Sequence, residues 1–195
     1  MDPSVIERVS DMDNKKRCKW CNLNNPLYVE YHDQEWGQPN FDEAYLYEML
    51  ILESFQAGLS WECVLNKREN FRQAYDHFDL EKVAAYDEAK IEELLQNKGI
   101  IRNKLKVRAS INNSRIFQAI AGEYGSFYEY LKTFTKGVTL YETGKTTNGL
   151  SDALSKDLQK RGMKFVGSTI IYSYLQAIGV INSHDEECDL HPSRK

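Results

Sequence analysis

Residues 45–61 read YLYEMLILESFQAGLSW. As a helix, this run places Leu46, Met49, Leu50 and Glu53 at i, i+3, i+4 and i+7, so a carboxylate continues a stripe that its neighbours mark as core-facing. An unpaired buried charge is costly, so Glu53 requires a partner inside the fold or a polar or cationic ligand brought to it. Gln56, Ala57, Gly58 and Leu59 then break the helix, and Ser60 with Trp61 opens another. Taken alone, the run favours the plainer reading, in which Glu53 turns to the surface or pairs with a neighbouring Arg or Lys.

Outward from this helix the chain is divided by capping residues. Asp42 caps the helix itself, and Ser60 caps a second one expected to run to about Tyr75. Asp79 and Asp87 stand at the starts of two short helices, the second ending at Gly99. A helix from about Lys104 to Ala121 lines up Leu105, Ala109, Ile116 and Ile120, with Gly122 and Gly125 closing it. A short aromatic helix covers about Phe127 to Phe134, Ser151 is expected to cap another that ends at Gly162, and a last one spans about Ser168 to Ala177. No run alternates as a strand does, and no repeat or low-complexity segment is present. The expected class is all-α, with short helices packed orthogonally.

The 195 residues, 42% of them hydrophobic, suffice for one full core. The expected division is a loose tail at 1–16, a single domain at 17–190 and a short tail at 191–195. No apolar run is long enough to span a bilayer, and the first residues lack the basic-then-apolar order of a signal peptide, so a cytoplasmic protein with no membrane partner is expected. Four cysteines, Cys18, Cys21, Cys63 and Cys188, are too few for a disulfide scaffold and are read as thiols or metal ligands. The net charge of −4 argues weakly against nucleic acid, yet charge is unevenly distributed. Between Gln96 and Gly122 there is no acidic residue, while Lys98, Arg102, Lys104, Lys106, Arg108 and Arg115 are all basic. With Lys156, Lys160, Arg161 and Lys164, they are read either as solvated helix faces or as one docking face on an acidic protein.

Three groups of residues carry possible chemistry. At 94–104 a helix ends on Gly99, Ile100 and Ile101 plug a turn, and a new helix opens near Asn103 with Arg102 and Lys104 beside its free amides. Such a helical hairpin holds a phosphate without reading sequence, although an ordinary helix corner has the same pattern. Cys18, His32, His184 and Cys188 offer two thiolates and two imidazoles, a set suited to a structural zinc that would tie the two ends of the chain together. Cys21, His77 and His191 compete as ligands, and spacing leaves Cys18 or Cys21 open as the first. Trp20, Tyr28, Tyr31, Trp36 and Trp61, set beside Glu53, would make a pocket for a flat cationic ring; a plain aromatic core is the rival reading.

Five blocks then identify a resemblance. They are Tyr31-His32-Asp33-x-Glu35-Trp36-Gly37, Leu52-Glu53-x-x-Gln56-Ala57-Gly58-Leu59-Ser60-Trp61, Gly99-Ile100-Ile101-Arg102, Ser155-Lys156-x-Leu158 and Lys164-Phe165-Val166-Gly167. In this order, over about Cys18 to Cys188, they closely resemble the 3-methyladenine DNA glycosylase I family of the helix–hairpin–helix superfamily. The resemblance implies excision of N3-methyladenine from double-stranded alkylated DNA by a monomeric, monofunctional enzyme of base excision repair. It implies a structural zinc on Cys18, His32, His184 and Cys188. It also implies that Glu53 hydrogen-bonds the extruded base, that Tyr28, Tyr31, Trp61 and Ser173 surround it, and that Gly58 and Leu59 enter the gap left in the duplex. Gly99, Ile101, Arg102 and Lys104 would hold the DNA strand. No Asp occurs between Asp87 and Asp152, where many relatives in the superfamily carry one, and the alkyladenine branch is known for lacking it. Two alternatives stand beside this reading: a non-catalytic, zinc-stapled DNA-binding module, and a related glycosylase for another damaged base.

Overall fold

A computed structural model describes residues 15–194. Most of the tail expected at 1–16, and Lys195, lie outside the described residues. In order, the chain forms α1 (Pro26–Gln34), α2 (Glu43–Gln56), α3 (Trp61–Leu65), α4 (Arg68–Ala74), a 3-10 turn at Asp76–Phe78, α5 (Leu80–Ala84), α6 (Glu88–Gln96), α7 (Lys104–Tyr124), α8 (Phe127–Thr135), β1 (Leu140–Tyr141), α9 (Gly149–Lys160), α10 (Ser168–Ala177), β2 (Ile181–Asn182) and a 3-10 turn at Pro192–Arg194. The fold is all-α. β1 and β2 are only a two-residue parallel pairing, which pins the 136–148 loop to the segment after α10.

The central element is α2. Asp42 caps it, accepting from the amides of Ala44 (3.0 Å) and Tyr45 (3.1 Å). From Met49 to Phe55 every residue is buried, because α7, α8 and α10 pack around it and α3 closes its C-terminal end. A helix apolar on all sides is a core helix. Glu53 is thus buried by its place in the middle of the fold, and the stripe read from the sequence is only one side of that burial.

Several local readings hold and some move. Asp79 and Asp87 cap α5 and α6 by accepting from Lys82 N–H and Lys90 N–H. The helix expected from Ser60 to Tyr75 is broken at a turn over Asn66 and Lys67, with α3 ending at Leu65 and α4 opening at Arg68. The break turns buried Arg68 to Glu35 (2.7 Å) and Glu48 (2.7 Å). α7 continues past Gly122 to Tyr124 and stops at Gly125. Its buried face carries Lys106, Val107, Ser110, Asn113, Phe117 and Ile120, while Leu105 is 70% exposed. Asn148, not Ser151, caps α9: the Asn148 side chain accepts from Ser151 N–H and the Ser151 hydroxyl accepts from Asn148 N–H, so Ser151 is the other half of the capping box.

Gly179, just after α10, permits the close approach of the 37–40 loop that aligns α1 with α2. Its φ is +72°, and a Cβ there would lie 2.2 Å from Gln38 C and Pro39 N. Backbone cannot yield at that distance, so Gly179→Ala is expected to cost about 3 kcal/mol. A drop in the urea midpoint at unchanged m-value checks it.

Candidate functional site

Around Glu53 lies a cavity of about 260 Å³ lined by Tyr28 and Tyr31 of α1, Trp20 and Trp36 on its flanks, Trp61 at the start of α3, and Ser173 of α10. The structure brings together all the ring residues singled out in the sequence. Trp61 packs on Tyr31 with centroids 5.2 Å apart, and Trp20 packs on Tyr28 at 5.1 Å and on Trp36 at 4.7 Å. Gln56, Gln176 and Lys145 also line the cavity; they reach it from the end of α2, from α10 and from the β1–α9 loop, and no local spacing signals that meeting.

Glu53 is 2% exposed. Its Oε2, the Gln56 Oε1 and the Trp61 Nε1 are buried without a hydrogen-bond partner among the described residues. Native folds rarely leave such atoms unsatisfied, and here two acceptors and one donor are gathered at one cavity. Burial pushes the Glu53 carboxyl well above the usual carboxylate range. The Tyr28 hydroxyl is pushed up to about 12, first by burial and then by Glu62, Cys21 and Glu53. Tyr31 is raised further by burial and by Glu53. Both phenols stay protonated at neutral pH and can donate to a ligand in the cavity. A flat cationic ring between these aromatics would restore charge to Glu53 and gain cation–π attraction.

α1 faces two ways, and its His32 enters a second cluster. The ligand atoms of Cys18, His32, His184 and Cys188 all lie within 4.8 Å of one another, and all four residues are buried. His32 Nδ1 lies 2.8 Å from Asp33 Oδ1, and His184 Nδ1 lies 2.9 Å from Asn182 Oδ1. The amides of Asp185 and Leu190 approach the Cys18 and Cys188 sulfurs at 3.3 and 3.5 Å. Arg17 in turn holds Asp33 at 2.8 Å; burial opposes ionisation there, but Arg17 and His32 keep the Asp33 carboxyl below its usual range. Oriented imidazoles and thiols receiving N–H groups are what a metal site needs in its surroundings. Cys21 turns away, toward the Tyr28 carbonyl at 3.8 Å, His191 bonds Ser193, and His77 is exposed. Of Cys18 and Cys21, Cys18 is the one gathered with His32, His184 and Cys188.

At the C-terminal end of α2, residues 56–59 form a turn. Leu59 N–H bonds Gln56 C=O at 2.6 Å, Gly58 takes a φ of +75°, and Leu59 is 41% exposed. The α6–α7 hairpin packs nearby, its Asn103 capping α7 through the amides of Leu105 and Lys106. The basic run divides here: Lys98, Arg102 and Lys104 stand exposed, whereas Lys106 is buried, Arg108 pairs with Glu88, and Arg115 donates to the Ala84 and Tyr86 carbonyls.

Residues 20–191 match the family model described as methyladenine glycosylase. The chain belongs to the methyladenine glycosylase family. It is similar to DNA-3-methyladenine glycosylase 1 of Escherichia coli strain K12, with 45% identity over 92% of this chain and 99% of that protein. DNA-3-methyladenine glycosylase of Haemophilus influenzae is 36% identical over 88% of this chain and 96% of its own. Among solved structures, a crystal structure of 3-methyladenine DNA glycosylase I superposes with a TM-score of 0.87 at 45% identity, covering 91% of this chain and all of the other. A variant 3-methyladenine DNA glycosylase I in complex with 3-methyladenine matches with a TM-score of 0.85 at 32% identity, covering 92% and 97%. As a methyladenine glycosylase family member, the chain carries the family pattern over almost all the residues described above. No helix among the described residues is long and apolar enough to cross a membrane.

Proposed function

We propose that the chain flips 3-methyladenine out of double-stranded DNA, holds it against Glu53, and releases it by hydrolysis of the N-glycosidic bond as a monomer. The observation that carries this reading is the buried, unpartnered Glu53 carboxyl in a cavity walled by Tyr28, Tyr31 and Trp61. A base methylated at N3 is cationic in the nucleotide and leaves the sugar as a neutral molecule. It therefore needs recognition and charge stabilisation more than protonation, and Glu53 supplies both. Extrusion costs a few kcal/mol, offset by ring stacking in the pocket and by Leu59, at the tip of its turn, filling the gap beside Gly58.

The α6–α7 hairpin is the proposed helix–hairpin–helix grip on one strand. Internal hydrogen bonds occupy the amides of Gly99, Ile100, Asn103, Leu105 and Lys106. Those of Ile101, Arg102 and Lys104 are the ones a phosphate would use, with the Arg102 and Lys104 side chains beside them. Two thiols and two imidazoles within 4.8 Å fit tetrahedral zinc, held by Cys18, His32, His184 and Cys188. Its role is structural, since it ties the first described residues to the last.

Incubation with duplex DNA carrying 3-methyladenine, followed by identification of the released base, tests the function. Free 3-methyladenine is expected. Binding with no base released would favour the DNA-binding module instead, and release of a different modified base would reassign the pocket.

A further inference from the structure

Lys106 is the buried cation that the site leaves unexplained. It is 7% exposed, and among the described residues it makes no ion pair with a carboxylate. Its Nζ donates to the Phe55 carbonyl at 2.8 Å and to the Ala57 carbonyl at 2.5 Å, both at the C-terminal end of α2. A helix C-terminus leaves carbonyls unsatisfied and carries partial negative charge, so an ammonium there is stabilised without a counter-ion. The Phe165 ring lies 5.9 Å from the same nitrogen.

The second carbonyl matters more than the first. Ala57 has φ −46° and ψ 114°, and Gly58 has φ +75°. With Leu59 N–H bonded to Gln56 C=O, these are the angles of a type II turn, whose middle peptide is flipped relative to type I. The middle carbonyl is that of Ala57, the one Lys106 grips. Its backbone is fixed in turn: Lys106 N–H bonds Asn103 Oδ1 at 3.1 Å in the first turn of α7. One side chain thereby bridges the hairpin that would grip the phosphates and the turn that would enter the duplex.

We propose that Lys106 is a positioning residue that locks the 56–59 turn in the type II form and couples Leu59 insertion to the grip of the α6–α7 hairpin. The proposal rests on the glycosylase reading given above. Lys106 does not line the cavity around Glu53, so its effect falls on extrusion and not on the pocket.

The test compares wild type with Lys106→Met, which matches the unbranched stem of the lysine and lacks its terminal ammonium donor. Single-turnover excision is measured on two duplexes, one with 3-methyladenine opposite thymine and one with the lesion mismatched, where extrusion costs less. Binding of free 3-methyladenine is followed by Trp fluorescence. The variant is expected to lose about tenfold or more on the matched duplex, about 1.4 kcal/mol in the barrier. The loss should shrink on the mismatched duplex, with free-base affinity within about twofold of wild type. An equal loss on both duplexes, loss of free-base binding, or no loss at all would overturn the proposal. Should Lys106→Met not fold, Lys106→Arg carries the same comparison. It keeps the charge but presents a planar fork to a site shaped for an ammonium, and the same matched-over-mismatched loss is expected. A wild-type protein that releases no base from either duplex would instead remove the glycosylase reading itself.

Discussion

Glu53→Gln is expected to yield a protein that is more stable than the wild type and nearly inactive. The two effects share one cause. Burial without a partner raises the Glu53 carboxyl well above its ordinary range, so the free protein either carries a proton there or holds an uncompensated charge. Over the pH interval between the unfolded and folded values, the native state binds a proton that the unfolded chain has released, and stability falls as pH rises. The contribution is fully present below about pH 4, the ordinary glutamate range, and is lost on passing upward through the raised value. A neutral Gln of the same shape avoids that loss. At neutral pH the gain is expected at about 0.5 to 2 kcal/mol, the usual scale of a single stabilising substitution, and it should vanish at acid pH. Excision should fall by about 100-fold or more, because the buried charge that would face a cationic base is gone. Urea titrations at the two pH values, with single-turnover excision alongside, measure both. Wild-type turnover in the variant would take Glu53 out of the reaction.

This trade explains why the opening helix was readable in part and for a partly different reason. Its cap and its break at Gly58, but not the burial of Glu53, follow from local chemistry: Asp42 and Ser60 each accept amides at a helix start. The burial itself comes from α7, α8 and α10 closing around α2, which no spacing within 45–61 encodes. The same division runs through the site. The rings are conspicuous by type, whereas Gln56, Gln176 and Lys145 are ordinary polar residues delivered by packing. Lys106 was hidden among like charges. Its signal lay in position: Lys106, Ser110, Asn113 and Phe117 fall at i, i+4, i+7 and i+11, a stripe that places the lysine on the buried face of α7. Charge counting ignored that stripe; of the six cations between Gln96 and Gly122, which it left open as a solvated face or a docking face, Lys98, Arg102 and Lys104 stand exposed at the hairpin.

Removing the metal proposed for the Cys18–His32–His184–Cys188 cluster should loosen the pocket as well as the termini. The cluster joins residues far apart in sequence, and without an ion the segment 15–25 is attached to the end of the chain by a few contacts, among them Asp189 N–H to Lys16 C=O at 2.9 Å and Lys19 N–H to Asp185 at 2.9 Å. Burial pushes the Cys18 thiol well up and lowers the His32 imidazole, against the pull of Asp33. In the unloaded site Cys18 is therefore a neutral thiol and His32 a neutral ring, and a divalent cation would convert that thiol to a thiolate with release of its proton. Elemental analysis should give one zinc per chain. A strong chelator should lower stability by on the order of 4 kcal/mol, the value for an ion present at about 1,000 times its dissociation constant. Because His32 and the pocket residues Tyr28 and Tyr31 share α1, affinity for free 3-methyladenine should fall in parallel. Cys188→Ser should reproduce the loss, and added zinc should not rescue it. A metal-free protein of unchanged stability would refute the site, and a destabilised one with unchanged base affinity would confine the ion's influence to the termini.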